Sequence, residues 1–320
     1  RGDDPMNNTT LSVCSLGTGT MGSTSTAAIA SAGFQITLWG RSSASLERGM
    51  ESATTAVRQL ESSGLLRESA RDVLDRVRPT TDLEEAVCSA DFILESVSEN
   101  VETKHTVLLE AEKYCRKDGI IGSNTSGLLP SAIASPLRNP ERFVVTHFWN
   151  PAHLIPLVEV CPGGKTLPET VEAARRFLLS AGKRPAVLRK EANGFIANRL
   201  QFALLREALH IVESGVASME EVDEAVKSSI GRRLADTGPF ETADLGGLDV
   251  FSSIASYLFA DLSADTKPPR LLTEKVREGL LGAKTGQGLY NWEPERKKEV
   301  LEARTRTLVH FLRQDRAEIK

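Results

Sequence analysis

Residues 11–33 constrain this 320-residue chain more than any other stretch. An apolar run from Leu11 to Leu16 leads into Gly17-Thr18-Gly19-Thr20-Met21-Gly22. A helical pattern follows through Ala32 and stops at Gly33. Strand, G-x-G-x-x-G and helix in that order form the unit that binds a dinucleotide. Gly17 permits the tight turn, Gly19 lets backbone approach a pyrophosphate, and Gly22 lets the helix lie close to the sheet. The first helical turn, with Thr20 and Met21, offers free N–H groups to the phosphates.

A second strand, Phe34 to Trp39, ends at Gly40-Arg41-Ser42-Ser43. In a dinucleotide fold this strand end meets the adenosine ribose, where an Asp or Glu binds the ribose hydroxyls. Here the carboxylate is missing, and a guanidinium and hydroxyls stand beside Gly40. That exchange favours a 2′-phosphate. Gly40, Arg41 and Ser42 therefore predict NADP(H), with NAD(H) as the alternative.

The rest of the first half alternates helices and strands. Residues 44–78 are polar and helical up to Pro79, Asp82 opens a short helix, and Asp91 to Val97 is a buried strand. A long helix runs from about Asn100 to Tyr114, and short apolar strands follow at residues 119–122, 143–146, 157–160 and 185–188. Such alternation implies α/β architecture, a mainly parallel, doubly wound sheet. After about residue 190 the pattern becomes helical: Asn198 to Ser214, a capping box at Ser218 to Glu221, Leu271 to Leu281, and a polar helix from Pro294 to about Arg316. The expected division is a nucleotide domain over 1–190 and an all-α domain over 191–320. Arg1 to Pro5, ahead of Met6, reads as a vector remnant.

A net charge of −4 offers no basic stripe for nucleic acid or an anionic membrane surface. No apolar run is long enough to span a bilayer, and no signal-peptide core is seen. Four scattered cysteines without a C-x-x-C pair point to reduced thiols, a cytoplasmic setting and no zinc site.

The residues suited to chemistry cluster at strand ends. Ser123-Asn124-Thr125-Ser126 follows one strand, and Thr146-His147 with Asn150-Pro151 is read as following another. Glu159 sits in an otherwise apolar strand, and Asn198 opens the helical domain. Singly, each has a structural explanation as a core histidine, a paired acid or a helix cap. Together, the motifs resemble the L-3-hydroxyacyl-CoA dehydrogenase family over residues 10–292. They are G-x-G-x-M-G (17–22), S-N-T-S (123–126), H-F-x-N-P (147–151), L-V-E-V (157–160), G-F-I-x-N-R (194–199), G-P-F-E (238–241) and G-x-K-x-G-x-G-x-Y (282–290).

That resemblance implies a Rossmann-type domain followed by a helical domain that binds substrate and forms a homodimer. It implies His147 as catalytic base, Glu159 as its partner, and Ser126 and Asn198 as substrate-binding groups. It also implies Glu99, Lys104 and Asn124 as cofactor contacts. The residue types suit the reaction: a histidine takes the alcohol proton near neutral pH while hydride leaves. A carboxylate on its other nitrogen fixes the tautomer. Leu154-Ile155-Pro156-Leu157-Val158-Glu159 and the polar last helix resemble a branch acting on non-thioester hydroxy acids: lambda-crystallin (L-gulonate 3-dehydrogenase), carnitine dehydrogenase and a pyridine-aldehyde dehydrogenase. The expected function is an NADPH-type ketoreductase acting on a small-molecule 3-hydroxy or 3-oxo acyl compound. The alternatives are a free hydroxy-acid dehydrogenase and a catalytically retired nucleotide binder.

Overall fold

The structure, a computed structural model, describes residues 11–318. The stretch Arg1 to Pro5 lies outside the described residues. The chain forms two compact units: one reaches to Ile196 and regains the chain from Ala303 onward, and the other is Ala197–Glu302. The division thus falls slightly later than residue 190, and the end of the chain belongs to the first unit.

The first unit is built on eight strands: β1 (Ser12–Leu16), β2 (Gln35–Trp39), β3 (Val77–Thr80), β4 (Phe92–Glu95), β5 (Ile120–Ser123), β6 (Phe143–Phe148), β7 (Leu157–Pro162) and β8 (Arg184–Val187). Their order is β3-β2-β1-β4-β5-β6-β7-β8. All neighbours are parallel except β6 and β7, which are antiparallel. The helices that matter for the site are α1 (Thr20–Ser31), α2 (Ser43–Ser62), α3 (Ala70–Leu74), α4 (Leu83–Val87) and α5 (Val101–Tyr114).

Side chains of β1 alternate between two cores, as the strand period of two requires. Val13 joins Ile36, Leu38 and Leu94 on one face, under α1 and α2. Cys14 and Leu16 join Ile93 and Ile121 on the other, under α4 and α5. Each fully buried aliphatic side chain contributes about 1.5–3 kcal/mol. Small residues let α1 approach β1 closely, and its buried hydroxyls turn back on their own helix. Thr26 Oγ1, for example, donates to the Gly22 carbonyl at 2.7 Å.

Two elements differ from the sequence reading. Helix α3 stops at Leu74, and Val77 to Thr80, Pro79 included, pairs with β2 as an edge strand. An edge tolerates proline because one side of the strand needs no ladder donor. The strand around residue 145 runs on to Phe148, so His147 lies within β6 and not beyond it.

The second unit is helical: Ala197–Glu213, Met219–Ser228, Ile230–Arg233, Pro239–Gly246, Leu248–Leu258 and Arg270–Arg277. The Ser218 capping box forms as expected, with Glu221 N–H on Ser218 Oγ and Ser218 N–H on Glu221 Oε2. Leu245, Leu248 and Phe251 are exposed and are not core residues. The last helix, Pro294–Glu318, places Val309 and Leu312 against Leu60, Leu65 and Leu154 of the first unit's core. Arg313 donates to the Ser63 carbonyl there. Among the described residues no helix is long and apolar enough to cross a membrane, and all four cysteines are free thiols.

Candidate active site

The glycine turn after β1 is shaped by close contacts. Gly17 has φ +119°, and a Cβ there would lie 2.5 Å from the Ser96 carbonyl oxygen. A Cβ on Gly22 would lie 2.0 Å from the Gly17 oxygen, so both positions require glycine. Gly19 has nothing within 4 Å of its Cβ position and caps α1 without a side-chain bond. The first N–H groups of α1 thus have no side-chain acceptor at the cap.

This turn borders a 470 Å³ cavity at the carboxyl ends of β1, β2, β4 and β5. Gly17 to Met21, Gly40, Arg41, Ser96 to Glu99, Asn124 and Ser126 line it. A glycine cradle, an open helix N-terminus and a strand-end groove fit a nicotinamide dinucleotide. When bound there, that group supplies or accepts hydride at its nicotinamide ring. Ser42 sits beside the cavity as the cap of α2, its Oγ accepting from Ser45 N–H at 3.3 Å.

Lys104 is placed differently from the other expected cofactor contacts. It is buried, and its ammonium lies 2.9 and 3.1 Å from the two oxygens of Glu95 and 3.2 Å from Glu99. Glu95, fully buried at the end of β4, also accepts from Val97 N–H at 2.7 Å and from the Ser123 hydroxyl. Glu99 in turn accepts from the Thr125 hydroxyl at 2.5 Å and from the Ser126 and Gly127 N–H groups at 2.8 and 3.3 Å. Partial burial pushes the Glu99 carboxyl up. The Thr125 bond, the Lys104 charge and the Ser126 N–H outweigh it and hold the group below its ordinary range. The Lys104 network therefore positions the Ser126 loop from behind the cavity. Glu95 was not singled out from the sequence, although it carries the same signal as Glu159, an acid in an apolar strand.

His147 and Glu159 form a cross-strand pair. They are directly opposed in the β6–β7 register. His147 Nδ1 is 2.9 Å from Glu159 Oε2, which also accepts from Trp149 Nε1 at 3.1 Å. Glu159 Oε1 accepts from Ile196 N–H at 2.7 Å. The β6–β7 register is what sets the two side chains on one face. A carboxylate acceptor at Nδ1 favours the tautomer with its proton there, which leaves the Nε2 lone pair to act as base. Phe195, with a left-handed φ of +51°, sets its ring 5.4 Å from the imidazole.

His147 does not line the cavity, and Asn124 links the two places. Its Oδ1 accepts from Phe148 N–H at 2.7 Å, next to His147, and its Nδ2 donates to Ser96 Oγ at 3.2 Å on the cavity wall. Ser126 is exposed at the cavity, its backbone held by Glu99. Asn198 lies in the first turn of helix Ala197–Glu213, in the other unit.

Comparison with known proteins places the chain in a family. The family model for the NAD binding domain of 3-hydroxyacyl-CoA dehydrogenase matches residues 12–192, and that for its C-terminal domain matches residues 194–292. A 5-formyl-3-hydroxy-2-methylpyridine 4-carboxylate 5-dehydrogenase of Mesorhizobium japonicum is 36% identical over 294 residues, 92% of this chain and 94% of that protein. An L-carnitine dehydrogenase of Bacillus cereus is 35% identical over 306 residues, 92% of each chain. A solved structure of a 5-dehydrogenase of the same pyridine carboxylate, described as an NAD+ dependent dismutase, superposes with a TM-score of 0.89 at 35% identity, covering 95% of this chain and 98% of that one. With the dinucleotide cradle, the matched residues and these relatives taken together, the chain belongs to the 3-hydroxyacyl-CoA dehydrogenase family and is a nicotinamide-dependent oxidoreductase acting on CH–OH groups.

Proposed function

We propose that this oxidoreductase works on a small 3-hydroxy or 3-oxo acid, with His147 as acid–base and Glu159 as its partner. The observation that carries this reading is the buried pair on β6 and β7. In alcohol oxidation His147 Nε2 takes the hydroxyl proton, and Glu159 stabilises the imidazolium. In the reverse direction the imidazolium returns that proton to the oxygen. Ser126 and Asn198 are assigned to hold the substrate oxygen by hydrogen bonds. The fixed Ser126 backbone supports that role.

For the cofactor we propose NADP(H). Gly40 offers no carboxylate at the end of β2, and the exposed Arg41 lines the cavity beside it. A guanidinium there favours a 2′-phosphate. The NAD+ named for the pyridine relative is the competing reading. For the substrate, relatives named for a pyridine carboxylate and for carnitine support a free acid over a CoA thioester. The exposed Leu245, Leu248 and Phe251 suit a homodimer contact, and the free thiols suit the cytoplasm.

One assay tests these readings: NADPH and NADH oxidation against acetoacetyl-CoA and a panel of free 3-oxo acids, with light scattering on the same sample. NADPH turnover with free acids by a dimer is the expected result. Preference for NADH overturns the cofactor assignment, preference for the thioester overturns the substrate assignment, and a monomer overturns the dimer. Inertness toward the whole panel with tight nucleotide binding favours a retired, nucleotide-binding protein.

A further inference from the structure

Three residues share one small space at the carboxyl end of β2. A Cβ on Gly40 would lie 2.8 Å from Thr18 Cγ2, 2.9 Å from Ser45 Oγ and 3.0 Å from Leu46 Cγ. A Cβ on Gly49, inside α2, would lie 2.8 Å from Thr18 Cβ and 3.1 Å from Thr18 Cγ2. Non-bonded carbons prefer about 3.5–4.0 Å. Thr18 therefore packs against both glycines, and Ser45 and Leu46 close the rest of the space over Gly40.

Backbone freedom does not explain those glycines. Neither Gly40 nor Gly49 is among the glycines with positive φ. A glycine within a helix, as at position 49, is destabilising relative to alanine. Space is what both positions provide. Nor can the threonine easily withdraw: a β-branched side chain has few rotamers. Its backbone is pinned on each side by Gly17 N–H on the Trp39 carbonyl at 3.0 Å and by Ser23 Oγ on the Thr18 carbonyl at 3.2 Å. Gly40 is likewise held, its N–H on the Thr80 carbonyl at 3.2 Å.

We propose that Thr18 is a cofactor-selectivity residue: by filling the space between Gly40 and Gly49 it excludes from the end of β2 any acidic side chain that could hold a ribose 2′-hydroxyl. The strand end is left with Arg41, which selects an anionic 2′-phosphate. Selectivity is then written in positions 18, 40 and 49 together, and an acid at position 40 is harmful unless Thr18 is cut back. This rests on the NADP(H) reading above.

The test is a cycle of wild type, Gly40→Asp, Thr18→Ala and the double variant, with Gly40→Ala and its Thr18→Ala double as a milder pair. Tm of the nucleotide-free protein and Kd for NADPH and NADH are measured on each. Gly40→Asp is expected to lower Tm by several degrees and weaken both nucleotides. The double variant is expected to recover only the Thr18 share of that Tm, because Ser45 Oγ and Leu46 Cγ still crowd position 40, and to favour NADH over NADPH by roughly tenfold more than Gly40→Asp does. If Gly40→Asp does not fold, the Tm coupling of Gly40→Ala with Thr18→Ala decides. Losses that simply add, or NADH affinity gained by Gly40→Asp alone, overturn the proposal. A wild type that prefers NADH defeats the cofactor reading instead, and the Tm coupling still reports on the packing.

Discussion

His147 and His153 stand six residues apart and are about equally buried, at 5% and 7% exposure. Their surroundings differ in the charge that faces the ring. His147 meets the buried carboxylate of Glu159. His153 Nε2 meets the neutral Gln59 Oε1 at 2.6 Å, and its Nδ1 has no partner among the described residues. Around it lie Lys183 and Arg316, bordering a 50 Å³ cavity. Burial, then the Lys183 charge, push the His153 pKa down to about 4. Depth alone therefore does not make a histidine useful for proton transfer. A carboxylate on the other ring nitrogen can stabilise an imidazolium as it forms, and among the described residues His147 has one whereas His153 does not.

The contrast can be broken most directly at His147. Replacing it in His147→Gln is expected to lower kcat by about 10²–10⁴-fold, with dinucleotide Kd unchanged in a fluorescence titration. Near wild-type turnover would remove the catalytic role. Glu159→Gln keeps the shape but loses the charge, so a smaller loss, on the order of 10–10³-fold in kcat, is expected. A Glu159→Gln enzyme with full activity would show that the carboxylate is merely structural.

His153 should act on stability alone. As pH falls below 6.5 the unfolded chain binds a proton at this ring, whereas the folded protein does so only near pH 4. Stability is therefore present above the unfolded pKa and is lost as pH falls through that window, by up to about 3 kcal/mol. His153→Gln should flatten Tm against pH between 6.5 and 4 and leave kcat unaltered. Identical Tm profiles for the two proteins would dissolve the contrast between the rings.

Much of the site was legible in the sequence because its signals are local. The glycine turn, Gly40-Arg41 and the acid within Leu157 to Val160 can each be read in a few residues, and the structure puts them at strand ends or within strands. What escaped depended on neighbours distant in sequence. Val77 to Thr80 contains a proline and becomes a strand only because β2 offers an edge. Lys104 pairs with Glu95, nine residues earlier, which the apolar run around it concealed.

By itself the sequence determined the nucleotide cradle, since only glycine meets the steric demands at Gly17 and Gly22. It also determined the alternation of strand and helix, through hydrophobic period. Tertiary structure decided the rest. The register of β7 on β6 set Glu159 opposite His147. The last helix returned to cover Leu60 and Leu154. Thr18 came to share one space with Gly40 and Gly49, far along the chain. Pairing register, docking and exclusion of volume are properties of atoms brought together by folding, and no single stretch of chain encodes them.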